Sequence, residues 1–287
     1  MSHNTGGDDL EDGFDIDSEN FSPGEDVSQV VQELAKEKKR KRKKKRKAEV
    51  STLTSEAEHI QPQAKRRKTG KVEEDMSETL TVALQPSTVQ AEYFYSLLGK
   101  VHKNSTSLEL DDLRLSDAAF VDSHEYGSSR DIEHLPQFIA QVLPVLKTRL
   151  TQRSANKGAP TLLLITSSAL RATEFTRILR GMRGPKSGEI AKLFARHFKL
   201  EEHAQYLQNH HVCAGVGTAG RIGKLLGHAS ALSLNALTHI LIDSHIDVKK
   251  RSIFDIPETR DALIKDIFEN TELKQSIVSG KVSIVLF

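Results

Sequence analysis

The chain has a single cysteine, Cys213, among its 287 residues. One thiol excludes an intramolecular disulfide framework and fits a reducing compartment. Apolar residues are also scarce, at 37% of the chain. No run of them approaches the roughly 18 residues that a membrane-crossing helix needs, and the N-terminus lacks the apolar heart of a secretory signal. The expectation is a soluble intracellular protein with no membrane partner. Also missing is G-x-x-x-x-G-K-[ST], the loop whose amides and lysine cradle nucleotide phosphates. Every Gly-Lys pair, ending at Lys71, Lys100, Lys224 and Lys281, runs on into Val or Leu.

What the chain has in quantity is charge, 28% of residues, and it is segregated by sign. Met1 to Leu34 carries Asp8, Asp9, Glu11, Asp12, Asp15, Asp17, Glu19, Glu25 and Asp26 with no Lys or Arg. The sign then flips at Lys36, through Lys38, Lys39, Arg40, Lys41, Arg42, Lys43, Lys44, Lys45, Arg46 and Lys47, and a second cluster follows at Lys65, Arg66, Arg67 and Lys68. Like charges at this density repel, and few apolar groups are present to offset an ordering cost of roughly 1–2 kcal/mol per residue. Residues 1–84 are therefore expected to form a long disordered arm, acidic and then basic. Two basic clusters across a polar spacer fit nuclear import and contact with nucleic acid phosphates. A solvated tail with no specific partner explains the same composition. An acidic block beside a basic one is common in nucleolar proteins, so the expected place is the nucleus and, within it, the nucleolus.

From residue 85 to 287 the pattern is that of one α/β domain. Tyr93, Leu97 and Leu98 share a helical face, and Ile132 to Leu150 reads as helix broken or kinked near Pro136 and Pro144. Thr161-Leu162-Leu163-Leu164-Ile165 is a short continuous apolar run, as in strands buried on both faces of a parallel sheet. Phe175, Ile178, Leu179 and Met182 then give a helical stripe, as do Ile190, Leu193, Phe194 and Phe198. Leu200 to Gln208 reads as a third helix, Val212 to Val216 as a strand, Thr218 to Leu226 as a helix and Ile240 to Asp243 as a strand. Pro257 opens a helix reaching Glu269, a short helix follows, and Val282 to Phe287 is a strand. Strands alternating with helices predict a single parallel sheet flanked by helices.

In such sheets ligands meet the carboxyl ends of the strands. After the first strand stands Thr166-Ser167-Ser168-Ala169, a cluster of hydroxyls opening a helix whose free N–H groups suit phosphate oxygens. A plain Ser/Thr N-cap accounts for the same residues. After Val212–Val216 comes Gly215-Val216-Gly217-Thr218-Ala219-Gly220-Arg221, where glycines permit close approach, Thr218 caps and Arg221 offers a forked phosphate donor. Lys224 lies one helical turn further on. The stretch also matches G-x-G-x-x-G with Asp243 ending the next strand, the spacing of a dinucleotide fingerprint, although that motif belongs in the first strand-to-helix turn. Asp243 is followed by Ser244, His245 and Ile246 with no glutamate to polarise water, and phosphoryl transfer needs a positioned metal and water. No catalytic residue, nucleotide or cofactor is expected. His203, His210, His211 and Cys213 cluster in sequence but lack C-x-x-C or H-x₃-H spacing, so no metal site is expected, and Cys213 reads as a buried inert thiol.

These residues resemble a known family. Leu162 to Phe287 is similar to the first RecA-like lobe of DEAD-box RNA helicases. Leu162–Leu170 stands where that family has a strand ending in Pro-Thr-Arg-Glu-Leu-Ala, with Thr166 at the proline and Ser168 at the arginine. Thr218, Ala219, Gly220 and Arg221 stand at its Thr-Pro-Gly-Arg, Ile240–Asp243 leads into Asp-Glu-Ala-Asp with only the first aspartate kept, and Val282–Phe287 resembles the strand before Ser-Ala-Thr. More closely, the chain resembles the Cms-one family of small-ribosomal-subunit assembly factors, through Ala191–His197, Val216–Ile222 and Arg251–Pro257. That resemblance implies a degenerate RecA-like lobe, a nuclear and nucleolar place, and pre-ribosomal assembly proteins and precursor ribosomal RNA as partners. It implies that Thr166, Ser167, Thr218, Gly220, Arg221 and Lys224 face RNA. A lobe that has become a protein-docking scaffold, with Arg221 merely paired, remains the alternative.

Overall fold

The computed structural model describes residues 82–195, 198–228 and 231–287. The acidic and basic clusters, from Asp8 to Lys68, lie outside them.

The strands are β1 (Leu162–Thr166), β2 (Glu189–Leu193), β3 (Val212–Thr218), β4 (His239–Ile242) and β5 (Ser283–Leu286). They form one sheet in the order β2-β3-β1-β4-β5, every pair parallel. Phe120 adds a lone parallel bridge to Ile284 beyond β5. β1 is central, and all five of its residues are buried. Leu163 and Ile165 enter one core with Leu193, Ile240, Ile242 and Ile284, while Leu162 and Leu164 enter the other with Val216, Leu241 and Val285. Successive side chains point to opposite faces, so an unbroken apolar run is what a doubly covered strand requires.

Helices cover each face. On one side lie α1 (Ser87–Val101), α6 (Leu200–Asn209), α7 (Ala219–Gly227), α8 (Pro257–Asp261) with its π-helical continuation Ala262–Phe268, and α9 (Thr271–Val278). On the other lie α3 (Leu135–Val142), α4 (Pro144–Leu150) and α5 (Ala169–Met182). A seven-residue α2 (Ser107–Leu113) begins on a capping box between Thr106 and Glu109. Phe94 anchors the first side, its ring in edge contact with Phe120, Phe254 and Phe268. Val82 and Ala83 are buried in this core, so packing begins N-terminal of Gln85.

Two expectations about elements change. Ile190, Leu193, Phe194 and Phe198 are not a helical stripe: Glu189–Leu193 is an edge strand. Ala191 and Leu193 face one core and Ile190 the other, a period of two that the helix-spaced residues conceal, and Phe198 is 47% exposed. Between Ile132 and Leu150 the chain makes a 3-10 turn and then two helices. Pro136 sits in the first turn of α3 and bends nothing, whereas Leu143 breaks the run ahead of Pro144.

Candidate nucleic-acid interface

The parallel order brings the carboxyl ends of β1, β3 and β4 together, with Thr166, Thr218 and Asp243 side by side. Asp243 is 2% exposed and saturated. Arg171 grips it with a two-pronged contact, Nε to Oδ2 at 2.6 Å and Nη2 to Oδ1 at 2.8 Å. The Thr166 hydroxyl donates to Oδ2 at 2.8 Å, and the His245 amide donates to Oδ1 at 3.3 Å. A buried carboxylate needs such pairing, because leaving one charge alone at low dielectric costs several kcal/mol. Thr166, fully buried, thus spends its hydroxyl inside the lobe. Ser168 caps α5, its hydroxyl accepting the Arg171 amide at 3.3 Å, which is the plain-cap role. Ser167 is half-buried beside it.

The glycine motif after β3 divides in two. Gly215 and Gly217 lie within the strand, facing Leu193. A Cβ at Gly215 would lie 2.8 Å from Leu193 Cδ1 and 2.9 Å from Leu163 Cδ2, and one at Gly217 would strike the Leu193 carbonyl. These glycines let β2 and its leucine close on β3, which accounts for them without a dinucleotide. Gly220, on the first turn of α7, has open space where a Cβ would go. Thr218 precedes that helix, half-buried, without a capping hydrogen bond.

Arg221 is half-buried and partly engaged. Its Nη2 donates to the Phe198 carbonyl at 2.9 Å, and Nη1 approaches His203 Nδ1 at 3.5 Å. His203 is buried under Phe198, ring centroids 5.1 Å apart. Burial first, and the neighbouring Arg221 second, push its pKa below the ordinary histidine value, which keeps the ring neutral beside the guanidinium. Lys224, three residues on, shares a helical face with Arg221 and is exposed. The same edge exposes Leu170, Phe198 and Val248.

The remaining sulfur and imidazole groups part company. Cys213 is buried with its thiol toward the Gly188 carbonyl, and burial raises its pKa, the inert state expected. His210 stacks on Tyr206 and His211 meets the Ser154 carbonyl. Among the described residues no group of three or more His, Cys, Asp or Glu is placed to hold a metal ion, and no helix is long and apolar enough to cross a membrane.

The family model for CMS1, the U3-containing 90S pre-ribosomal complex subunit, matches residues 26–287. The chain belongs to that family. It is 38% identical over 161 residues to Protein CMS1 of Chaetomium thermophilum, covering 56% of this chain and 63% of that protein. It is 30% identical over 219 residues to Protein CMSS1 of Homo sapiens, covering 75% of this chain and 74% of that one. A DEAD box protein from Methanococcus jannaschii aligns structurally over 56% of this chain and 37% of its own, with a TM-score of 0.35 and 17% identity. For a CMS1-family lobe, the residue that pattern reading missed is Arg171. Its signal was available: a lone aspartate closing a buried strand demands a cation, and α5 carries one in its first turn.

Proposed function

We propose that this chain is a non-catalytic ribosome-biogenesis factor of the small-subunit pre-ribosome, acting in the nucleus and nucleolus and binding precursor ribosomal RNA alongside assembly proteins. Membership of a family of 90S pre-ribosomal subunits supports the assembly role. The observation that carries the non-catalytic part is the closed Asp243 carboxylate, whose two oxygens accept from Arg171, Thr166 and His245 and so are committed inside the lobe. The RNA-facing surface is the carboxyl edge at Ser167, Thr218, Gly220, Arg221 and Lys224, helped by the basic clusters of residues 1–84. Thr166 supports that edge from beneath. The arm supplies salt-sensitive, sequence-independent affinity.

Ultraviolet cross-linking in cells tests this. The full chain, the chain with Lys36–Lys47 and Lys65–Lys68 changed to glutamine, and the Arg221→Glu chain are compared. Cross-links to precursor ribosomal RNA that survive loss of the clusters and fall severalfold in Arg221→Glu support the edge. The second reading is a protein-docking lobe, favoured by Arg221 being tied to the Phe198 carbonyl and by the exposed Leu170, Phe198 and Val248. It gains if every cross-link is lost with the clusters while co-sedimentation with pre-ribosomes persists.

A further inference from the structure

The opposite edge of the sheet has a character of its own. Residues 144–188 contain nine Lys or Arg and a single acid, Glu174. Arg171 is the member of that set spent on an ion pair, with Asp243. Of the other eight, Arg153, Lys157, Arg183 and Lys186 lie on the two loops that precede β1 and β2, and Lys147, Arg149, Arg177 and Arg180 lie on α4 and α5, the helices that lead into those loops; in a parallel sheet all strand starts share one edge. Arg149 and Arg153 line a shallow cavity of about 230 Å³ with Gln152, Ser154, Asn156 and Asn235. The loop after α5 packs directly against the end of α4: a Cβ on Gly184 would stand 2.9 Å from the Thr151 carbonyl oxygen. His211 ties the third strand start to the same place through the Ser154 carbonyl at 2.9 Å. Tyr206, on α6, donates to Glu189, the acid that opens β2 at this same edge. Two cationic loops thus form one continuous surface.

We propose that this amino edge, built on Arg149, Arg153, Lys157, Arg180, Arg183 and Lys186, is a second RNA-binding surface that holds the phosphate backbone. None of the six side chains takes an ion pair or a side-chain hydrogen bond among the described residues, and all six are exposed. Around Arg149 and Arg153 the cavity is lined by three amides, the Ser154 and Thr161 hydroxyls and two alanines. Protein-docking surfaces bury an apolar centre depleted of charge, whereas nucleic acid interfaces are polar, wet and strongly positive. The amino edge has the second composition. It lies about 16 Å from the carboxyl edge, the length of a five-residue strand. It therefore engages a different stretch of backbone from Arg221. The proposal rests on reading the protein as one that meets RNA, but on none of the carboxyl-edge residues.

The test uses the full chain and an RNA hairpin with single-stranded tails, with affinity measured by fluorescence anisotropy over a salt series. Changing Arg149, Arg153, Arg180 and Arg183 together to glutamine removes four counterion-releasing contacts. The slope of log affinity against log salt should become shallower by about 3, at roughly 0.7–0.9 per contact. Arg153→Gln alone, which leaves the fold least disturbed, should take about one unit from it. An unchanged slope in both variants overturns the proposal. If Arg221→Glu weakens binding in that case, the carboxyl edge stands without the amino edge; if it too is silent, the arm holds the RNA and both lobe surfaces fall. A fourfold variant with wild-type RNA slope that no longer co-sediments with pre-ribosomes identifies an acidic protein as the occupant, and overturns the proposal as well.

Discussion

Asp243 and Arg171 are separated by 72 residues, and neither side chain makes sense alone. A carboxylate 2% exposed at a strand end needs the guanidinium, and the guanidinium, lying 5.3 Å over the Phe175 ring, is positioned by α5. Removing one member strands a buried charge, so Arg171→Ala should cost about 3–5 kcal/mol, read as a lower urea midpoint at constant m-value. Arg171→Met with Asp243→Leu should restore much of that loss, since an apolar pair of similar volume avoids the desolvation penalty. Equal destabilisation in the single and double variants would mean that the pair is not the unit of stability. No local spacing rule links its partners, so the sequence signals only the need for a cation at a lone aspartate closing a buried strand, and not which one supplies it. The Ser168 cap was legible, being settled within four residues.

At the level of elements, the strands bound to both cores announced themselves, because continuous apolar runs admit few other solutions. β2 did not. As an edge strand it keeps Glu189 exposed and Lys192 partly so, which leaves Ile190, Leu193 and Phe194 at a spacing that imitates a helix. The missing information sat in its partner, where Gly215 and Gly217 clear room for Leu193. Gly217→Ala should therefore cost on the order of 2–3 kcal/mol through overpacking, with faster hydrogen exchange confined to Glu189–Leu193 and its β3 neighbours. Gly220→Ala meets open space on a helix and should stabilise by about 0.5–1 kcal/mol. The same change should reduce RNA affinity if backbone approaches Gly220 closely, so the two glycines separate packing from recognition. The carboxyl-edge residues themselves were chosen by motif position, and the geometry alters their roles unevenly: Thr166 faces inward, while Lys224 faces solvent.

Over the whole molecule, charge is sorted by sign more than once. Residues 107–133 carry eight acids against Arg114 and Arg130, and both arginines are occupied, one with Glu92 and one on the Leu286 and Ser123 carbonyls. Residues 144–188 have the opposite balance. Segregation of this kind makes segment 144–188, and not 107–133, the part of the lobe that a polyanion's field would favour. The basic clusters near the N-terminus are proposed as a nuclear-import signal. Changing Lys38–Lys47 to glutamine should lower nuclear accumulation severalfold in cells, by fluorescence of the tagged full chain, and an unaltered distribution would remove the import role from that segment. Charge sorting is visible in composition alone, and composition specifies no contact.

The clasp on Asp243 also bears on what this scaffold can become. A substitution path toward metal-assisted chemistry must first free that carboxylate, and the step that frees it, loss of Arg171, is the one that strands a charge in the core. Intermediates on such a path are less stable than either end. The clasp acts as a ratchet: drift can refine the surface of this lobe, but it meets a stability valley before it can reopen the strand end to a cation.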